Sequence, residues 1–177
     1  MSRPPQFVRL DSPMGKLLVV FGPTGVRRVA LTEPEAARAM AEADPAPAGP
    51  LAAAGIGRAF EAYFAGRRST PDLDLDLSDV RGFTRRVLST LRRRVGFGST
   101  ISYGGLARLV GKPLAAHAVG QAVGSNPVPI LVPCHRVLAS DGSLGGFGSG
   151  LACKRRLLEI EGITGLSGGW PSVRPEA

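Results

Sequence analysis

Cysteine and histidine are scarce in this chain, with two of each among 177 residues. So few cysteines exclude a disulfide framework, and free thiols are expected. No apolar run approaches the ~20 residues needed to span a bilayer. The N-terminus also carries no signal-peptide-like apolar stretch, so a cytoplasmic protein is expected. Acidic residues run short in one half only. Residues 80–177 hold 4 Asp/Glu against 13 Lys/Arg, a net of +9, whereas residues 1–79 hold 10 against 9, a net of −1. A basic half beside a near-neutral one is the electrostatic footprint of a polyanion-binding domain, although arginine can also serve solubility alone. Charge of this kind speaks to affinity, not chemistry.

What is present is enough for a real core. The chain is 44% hydrophobic, which suits one compact unit or two small domains. Residues 7–10, 16–22 and 26–31 read as short strands between Pro/Gly turns. Residues 33–43 and 52–65 read as helices, separated by a Pro-rich loop or mobile linker at 44–50. The Asp/Leu alternation at 72–77 predicts a half-buried strand. Composition changes near 78–82, which places a boundary between an α+β N-terminal domain, 1–79, and a mainly α-helical domain, 80–165. Residues 166–177 are expected to be a flexible tail.

In the second domain, residues 83–95 predict a helix with Phe83, Val87, Leu88 and Leu91 on one face. Ser102 suits the N-cap of a helix over 103–110 that stops at Gly111. Pro113 suits the first turn of another, running to about residue 123. Two short helices across a Gly-Lys-Pro turn make a helix-turn-helix. The second is rich in small residues, Ala115, Ala116, Ala118, Gly120 and Ala122, where a major-groove reader would display long polar side chains. Small residues permit close approach to a narrow groove, or simply pack, as expected for Ala118 and Ala122.

The densest chemistry is Pro133-Cys134-His135-Arg136, behind the apolar run Val128-Pro129-Ile130-Leu131-Val132. It sets a thiol beside an imidazole, and proton transfer between them yields the thiolate that attacks carbon. With that pair assigned to chemistry, too few Cys and His remain for a four-ligand zinc site. Cys153 is expected to be buried rather than reactive. Glu161 falls near the end of a helix starting about residue 151, on the same stripe as Leu157 and Leu158. A carboxylate at the negative pole of a helix needs a positive or donating partner, which His135 would supply. A partly exposed helix-end Glu is the alternative.

Around this core lie Ile101-Ser102-Tyr103, Ala115-Ala116-His117-Ala118-Val119-Gly120 and Ser125-Asn126-Pro127-Val128-Pro129. Downstream come Gly145-Gly146-Phe147-Gly148 and Leu157-Leu158-Glu159-Ile160-Glu161-Gly162. In this order and spacing, from about residue 82 to 162, the chain resembles the O6-alkylguanine-DNA alkyltransferases, also called methylated-DNA–protein-cysteine methyltransferases. A looser likeness covers the first half, through Ser12-Pro13-Met14-Gly15 and Tyr63-Phe64-Ala65-Gly66. The resemblance implies an α+β domain followed by a mainly helical one with a winged-helix-like helix-turn-helix. It implies repair by irreversible, single-turnover transfer of the alkyl group from O6-alkylguanine in duplex DNA to Cys134, without a cofactor or metal. O4-alkylthymine is a further substrate of the implied class. A monomer is expected, with cooperative assembly on DNA left open.

Among the residues, the resemblance makes His135 the base, acting through a water, and Glu161 its carboxylate partner. Asn126 ties the recognition helix to the active-site segment, and Tyr103 donates a proton to the departing guanine. It places Ala115, Ala116 and His117 in the minor groove. Arg136, Val137, Gly148 and Lys154 are expected around the base or the phosphates. One position departs from the family pattern, because His117 stands where an arginine usually fills the gap left by a flipped base. Weaker action on duplex DNA is expected from it. Other readings are a non-catalytic alkyl-lesion recognition protein, a Cys-His hydrolase and a transcription regulator. Cys134 weighs against the first. The helix-turn-helix with its basic surroundings weighs against the second, and the lack of a second effector domain against the third.

Overall fold

Three apolar runs of strand-forming residues build the sheet of the first unit. The computed structural model describes residues 4–164, apart from residue 68, so the tail expected at 166–177 lies outside the described residues. Strands β1 (Gln6–Ser12), β2 (Gly15–Gly22) and β3 (Gly25–Ala30) form an antiparallel meander. Gly15 takes φ +111° at the first turn, a conformation open to glycine without a Cβ penalty. Leu17 to Val20 of β2 are all buried. Helix α1 (Glu33–Ala43) lays Ala36 and Ala39 against Leu18, Val20 and Ala30, and helix α2 (Pro50–Phe64) packs on β1. Glu35 turns back to accept from the Thr32 N–H at 3.2 Å, which fixes where α1 begins.

Two expectations for this half are corrected. Residues 44–50 are not a free linker. They include a two-residue strand, β4 (Ala46–Pro47), paired parallel to β1 at the sheet edge. Ala46 N donates to Pro5 O and Ala48 N to Phe7 O, both at 2.9 Å, and Pro47 is tolerated because an edge strand does not need every N–H. The Asp/Leu alternation at 72–77 forms no full strand. Only Leu75 bridges to Val26, flanked by Val26 N to Asp74 O at 2.8 Å and Asp76 N to Val26 O at 2.9 Å. Beyond it, Asp76 accepts from the Ser78 backbone N–H at 3.0 Å, a local turn that competes with further pairing.

The chain divides into two compact units, and the sequence between them is not simply serial. Residues 127–131 belong with the first unit, where Val29 N donates to Pro127 O at 2.9 Å, while 80–126 and 132 onward form the second. In the second unit, α3 (Gly82–Arg94) buries Val87, Leu88 and Leu91. Helix α4 (Tyr103–Leu109) is capped by Ser102, whose hydroxyl accepts from Gly105 N at 3.0 Å. Helix α5 (Ala116–Gly124) starts later than Pro113 suggests, because Ala115 N closes a turn on Lys112 O at 2.9 Å first. Strand β5 (Ile101–Ser102) pairs parallel with β6 (Val137–Leu138), and α6 (Leu151–Ile160) follows. The molecule is thus an α+β fold in two units. No helix of the described residues is long and apolar enough to cross a membrane.

Candidate active site

The apolar run before Cys134 sets its surroundings. Every residue from Val128 to Leu138 is buried. Within that run Ile130 has φ 71°, a left-handed conformation that costs a β-branched residue about 1–3 kcal/mol and survives only where packing imposes it. Cys134 N donates to Val132 O at 2.8 Å and Arg136 N to Pro133 O at 3.0 Å, which winds Cys134–Arg136 into one 3-10 turn. The thiol therefore lies inside the protein, 6% exposed. Burial pushes its pKa up. The Asn126 side chain, the Lys154 charge and the backbone N–H groups of Cys134 and His135 oppose that by stabilising the thiolate. Asn126 also donates through Nδ2 to Val132 O at 2.9 Å, so it joins the end of α5 to the segment carrying the sulfur.

His135 Nε2 lies 2.8 Å from Glu161 Oε1, with both side chains fully buried. The carboxylate accepts the Nε2 proton, which makes Nδ1 the basic atom of the ring. Burial lowers the His135 pKa, the charges of Arg136 and Lys154 lower it further, and Glu161 works against them. Burial thus disfavours the charged form of both the thiol and the imidazole. Glu161 caps α6, where a complete Schellman closure fixes it. Gly162, at φ +79°, donates to Glu159 O, and Ile163 N donates to Leu158 O, both at 2.9 Å. Burial alone would raise the Glu161 pKa, but hydrogen bonds from His135 and Arg136, with the guanidinium charge, bring it to about 2.

Tyr103 opens α4 with its ring between two glycines. A Cβ on Gly120 would stand 3.7 Å from its Cε1, and one on Gly145 would stand 3.4 Å from its Cε2. Desolvation raises the phenol pKa, and a neighbouring Cys134 thiolate raises it again, so the proton stays on Tyr103. His117 is exposed on α5, with Ala115 and Ala116 half-buried before it, and Gly148 is exposed in the loop ahead of α6.

Three expectations are corrected. Lys154 is fully buried and cannot reach a phosphate. Its Nζ donates to Val137 O at 2.7 Å and to Leu144 O, and it lies 6.0 Å from the Phe147 ring, so it pins the loop before α6. Burial lowers its pKa to about 8, with Cys134 opposing. Arg136 is likewise 1% exposed, its guanidinium held inside on Glu161 and on Val95 O. The Val137 backbone is used within the protein, its N–H by Cys134 O and its carbonyl by Lys154. Arg136 and Val137 share the unbroken burial of residues 128–138. Gly98 was not foreseen at all. At φ +73° it donates its N–H to Glu161 Oε2 at 3.1 Å, and a Cβ there would come within 3.3 Å of Glu161 O. No group of three or more His, Cys, Asp or Glu able to hold a metal occurs among the described residues.

Residues 82–163 match the family model described as the DNA-binding domain of 6-O-methylguanine DNA methyltransferase. The human methylated-DNA–protein-cysteine methyltransferase is 39% identical over 91% of this chain and 87% of its own length. That of Mycolicibacterium paratuberculosis is 40% identical over 88% of this chain and 92% of its own. Among solved structures, Mycobacterium tuberculosis OGT in complex with DNA superimposes with a TM-score of 0.76 at 38% identity. It covers 88% of this chain and 92% of that one.

Proposed function

The chain belongs to the methylated-DNA–protein-cysteine methyltransferase family, and from that premise we propose that Cys134 is the residue that takes the alkyl group. The protein acts in DNA repair by direct transfer, moving the alkyl group from DNA onto itself in a single turnover. The observation that carries the assignment to Cys134 is its burial beside the Asn126 side chain, directly before a buried histidine whose Nε2 lies 2.8 Å from Glu161 Oε1.

The thiol proton passes to His135 Nδ1, through a water where the two side chains diverge, and Glu161 stabilises the imidazolium so formed. The sulfur attacks the alkyl carbon of O6-alkylguanine, a C–S bond forms and the C–O bond breaks, with its electron pair leaving on the guanine. Tyr103, kept protonated by its surroundings, donates to the departing base and is reprotonated at the expense of the imidazolium through solvent. Guanine and an S-alkylcysteine result. A thioether does not hydrolyse, so the reaction ends there. No cofactor enters any step.

Access to the alkyl group requires the nucleotide to leave the stack. Helices α4 and α5 are the helix-turn-helix, with Ala115, Ala116 and His117 entering the minor groove and His117 filling the vacated space. The neighbouring two-stranded element is a parallel pairing of β5 with β6, so the winged-helix likeness rests on the helices rather than on a hairpin wing. Gly148 and the loop tethered by Lys154 border the alkyl side. O4-alkylthymine offers the same electrophilic carbon on a smaller base.

The test is the intact mass of the protein after incubation with a duplex carrying one O6-methylguanine, beside Cys134→Ala. A gain of one methyl per molecule, absent from the variant, is expected. No gain in the parent despite damage-selective binding would overturn the assignment in favour of a recognition protein.

A further inference from the structure

Among the described residues, Leu114 is the large apolar side chain most open to solvent, at 99% exposed. Its backbone, in contrast, is held on both sides. Gly111, at φ +73°, donates to Arg108 O, and Lys112 N donates to Ala107 O, both at 2.9 Å, which closes α4. Ala115 N then donates to Lys112 O at 2.9 Å, so Pro113 and Leu114 take the two central positions of a hydrogen-bonded turn. Proline pre-sets the first of these positions. Val119 N on Ala115 O, also at 2.9 Å, begins α5 directly behind. The leucine is therefore displayed from a tip whose backbone is fastened to the helices before and after it.

A single exposed leucine is ordinary on a protein surface, and its setting is what gives this one a partner. Arg108, Lys112 and His117, before and after it in the chain, are all exposed. No Asp or Glu occurs anywhere between Asp79 and Asp141. A second copy of this stretch would meet such a tip with cations alone and repel it. The minor groove of DNA offers the complement, with phosphates along both rims and, between them, sugar walls and base edges that accept an apolar side chain. Ala115 and Ala116, next in the chain and half-buried, add no bulk that would hold the tip away from a narrow groove.

We propose that Leu114 is an apolar wedge that enters the minor groove ahead of α5 and seats against its sugars and base edges. The proposal rests on the reading of α4 and α5 as the helices that meet DNA, and it names a contact which that reading does not use. A leucine buried in the groove adds affinity by leaving water, and it releases no counterion. Cations such as Arg108 and Lys112 do the opposite, since what they gain at phosphates is lost to salt. A wedge also loosens the stack it presses on, which eases the exit of the target nucleotide.

The test is fluorescence anisotropy of the full chain on a labelled duplex, with and without one O6-methylguanine, from roughly 50 to 200 mM salt. Leu114→Ala should weaken binding to both duplexes about tenfold, the scale of returning most of a leucine side chain to water. The slope of log affinity against log salt should stay that of the parent, because no phosphate contact is removed. Leu114→Met, which keeps the apolar volume, should bind within about twofold of the parent. Transfer from a subsaturating O6-methylguanine duplex should fall in proportion to affinity in the alanine variant. An alanine variant that binds as the parent does would overturn the proposal. So would a flatter salt slope in that variant, or slower transfer at unchanged affinity, which would move Leu114 from the groove to the reacting site. Self-association of the DNA-free parent in sedimentation, abolished by Leu114→Ala, would assign the tip to a second copy instead. Affinity for the unmodified duplex is read without any transfer, so a failure of Cys134 to take the alkyl group and a failure of the wedge are told apart.

Discussion

Glu161 shows how far a single carboxylate can be moved from its ordinary behaviour by the donors around it. Its pKa falls from 4.5 to about 2, so its native interactions stabilise the fold fully above the unfolded value of 4.5. That stability is lost as pH falls through about 2. The shift corresponds to roughly 3 kcal/mol. His135 acts in the same direction from higher pH. Its native pKa is depressed below 6.5, so an unfolded chain takes up a proton that the native site refuses. Urea unfolding should show stability declining below pH 6.5 and steepening below 4.5, and a flat profile from pH 7 to 3 would contradict it. Glu161→Gln should cost about 3–5 kcal/mol at pH 7, because it strands the Arg136 charge in the interior. The meeting of His135 with Glu161 was legible because a carboxylate on the inward stripe at a helix end needs a donating partner and histidine is rare in this chain. Arg136 and Lys154 were misread as facing DNA, because a basic residue in a basic half gives no sign of burial until the chain is folded.

At the scale of elements, the position of Tyr103 is set by what neighbouring elements leave out. Gly120 on α5 and Gly145 in the loop before α6 leave room on either side of the ring. Gly145→Ala places a Cβ 3.4 Å from the ring on a residue at φ +63°, so both packing and backbone resist it. If Tyr103 is the proton donor proposed above, transfer from duplex DNA and from the free base should slow together. A loss confined to duplex DNA would place Tyr103 outside the chemistry. His117→Arg is expected to do the reverse, speeding reaction on a duplex while leaving the free base alone, and equal duplex rates would defeat it. Helices and the first three strands were readable from periodicity and caps. The Asp/Leu run was not, because alternation reports which side chains turn inward and not whether a partner strand lies alongside. It forms an isolated bridge, Leu75 to Val26, in place of a strand.

Across the whole molecule, charge and chemistry are kept apart. Among the basic residues of 80–177, Arg136 and Lys154 are buried and committed to the site, while Arg92, Arg93 and Arg94 stand exposed at the end of α3. Three cations at a helix C-terminus are favoured by the helix dipole whatever else they do, so their position alone does not make them a DNA contact. The discriminating property is salt dependence. Binding that neutralises phosphates releases counterions, and affinity then falls steeply from roughly 50 to 200 mM salt. The alkyl transfer proposed for Cys134 takes place on a buried sulfur, where screening by bulk ions is weak. Transfer from a duplex under subsaturating conditions should therefore lose rate steeply over that range, while transfer from free O6-methylguanine stays nearly constant. Parallel salt curves for the two substrates would mean that the basic surface serves solubility, and that recognition resides in α5 and the site alone.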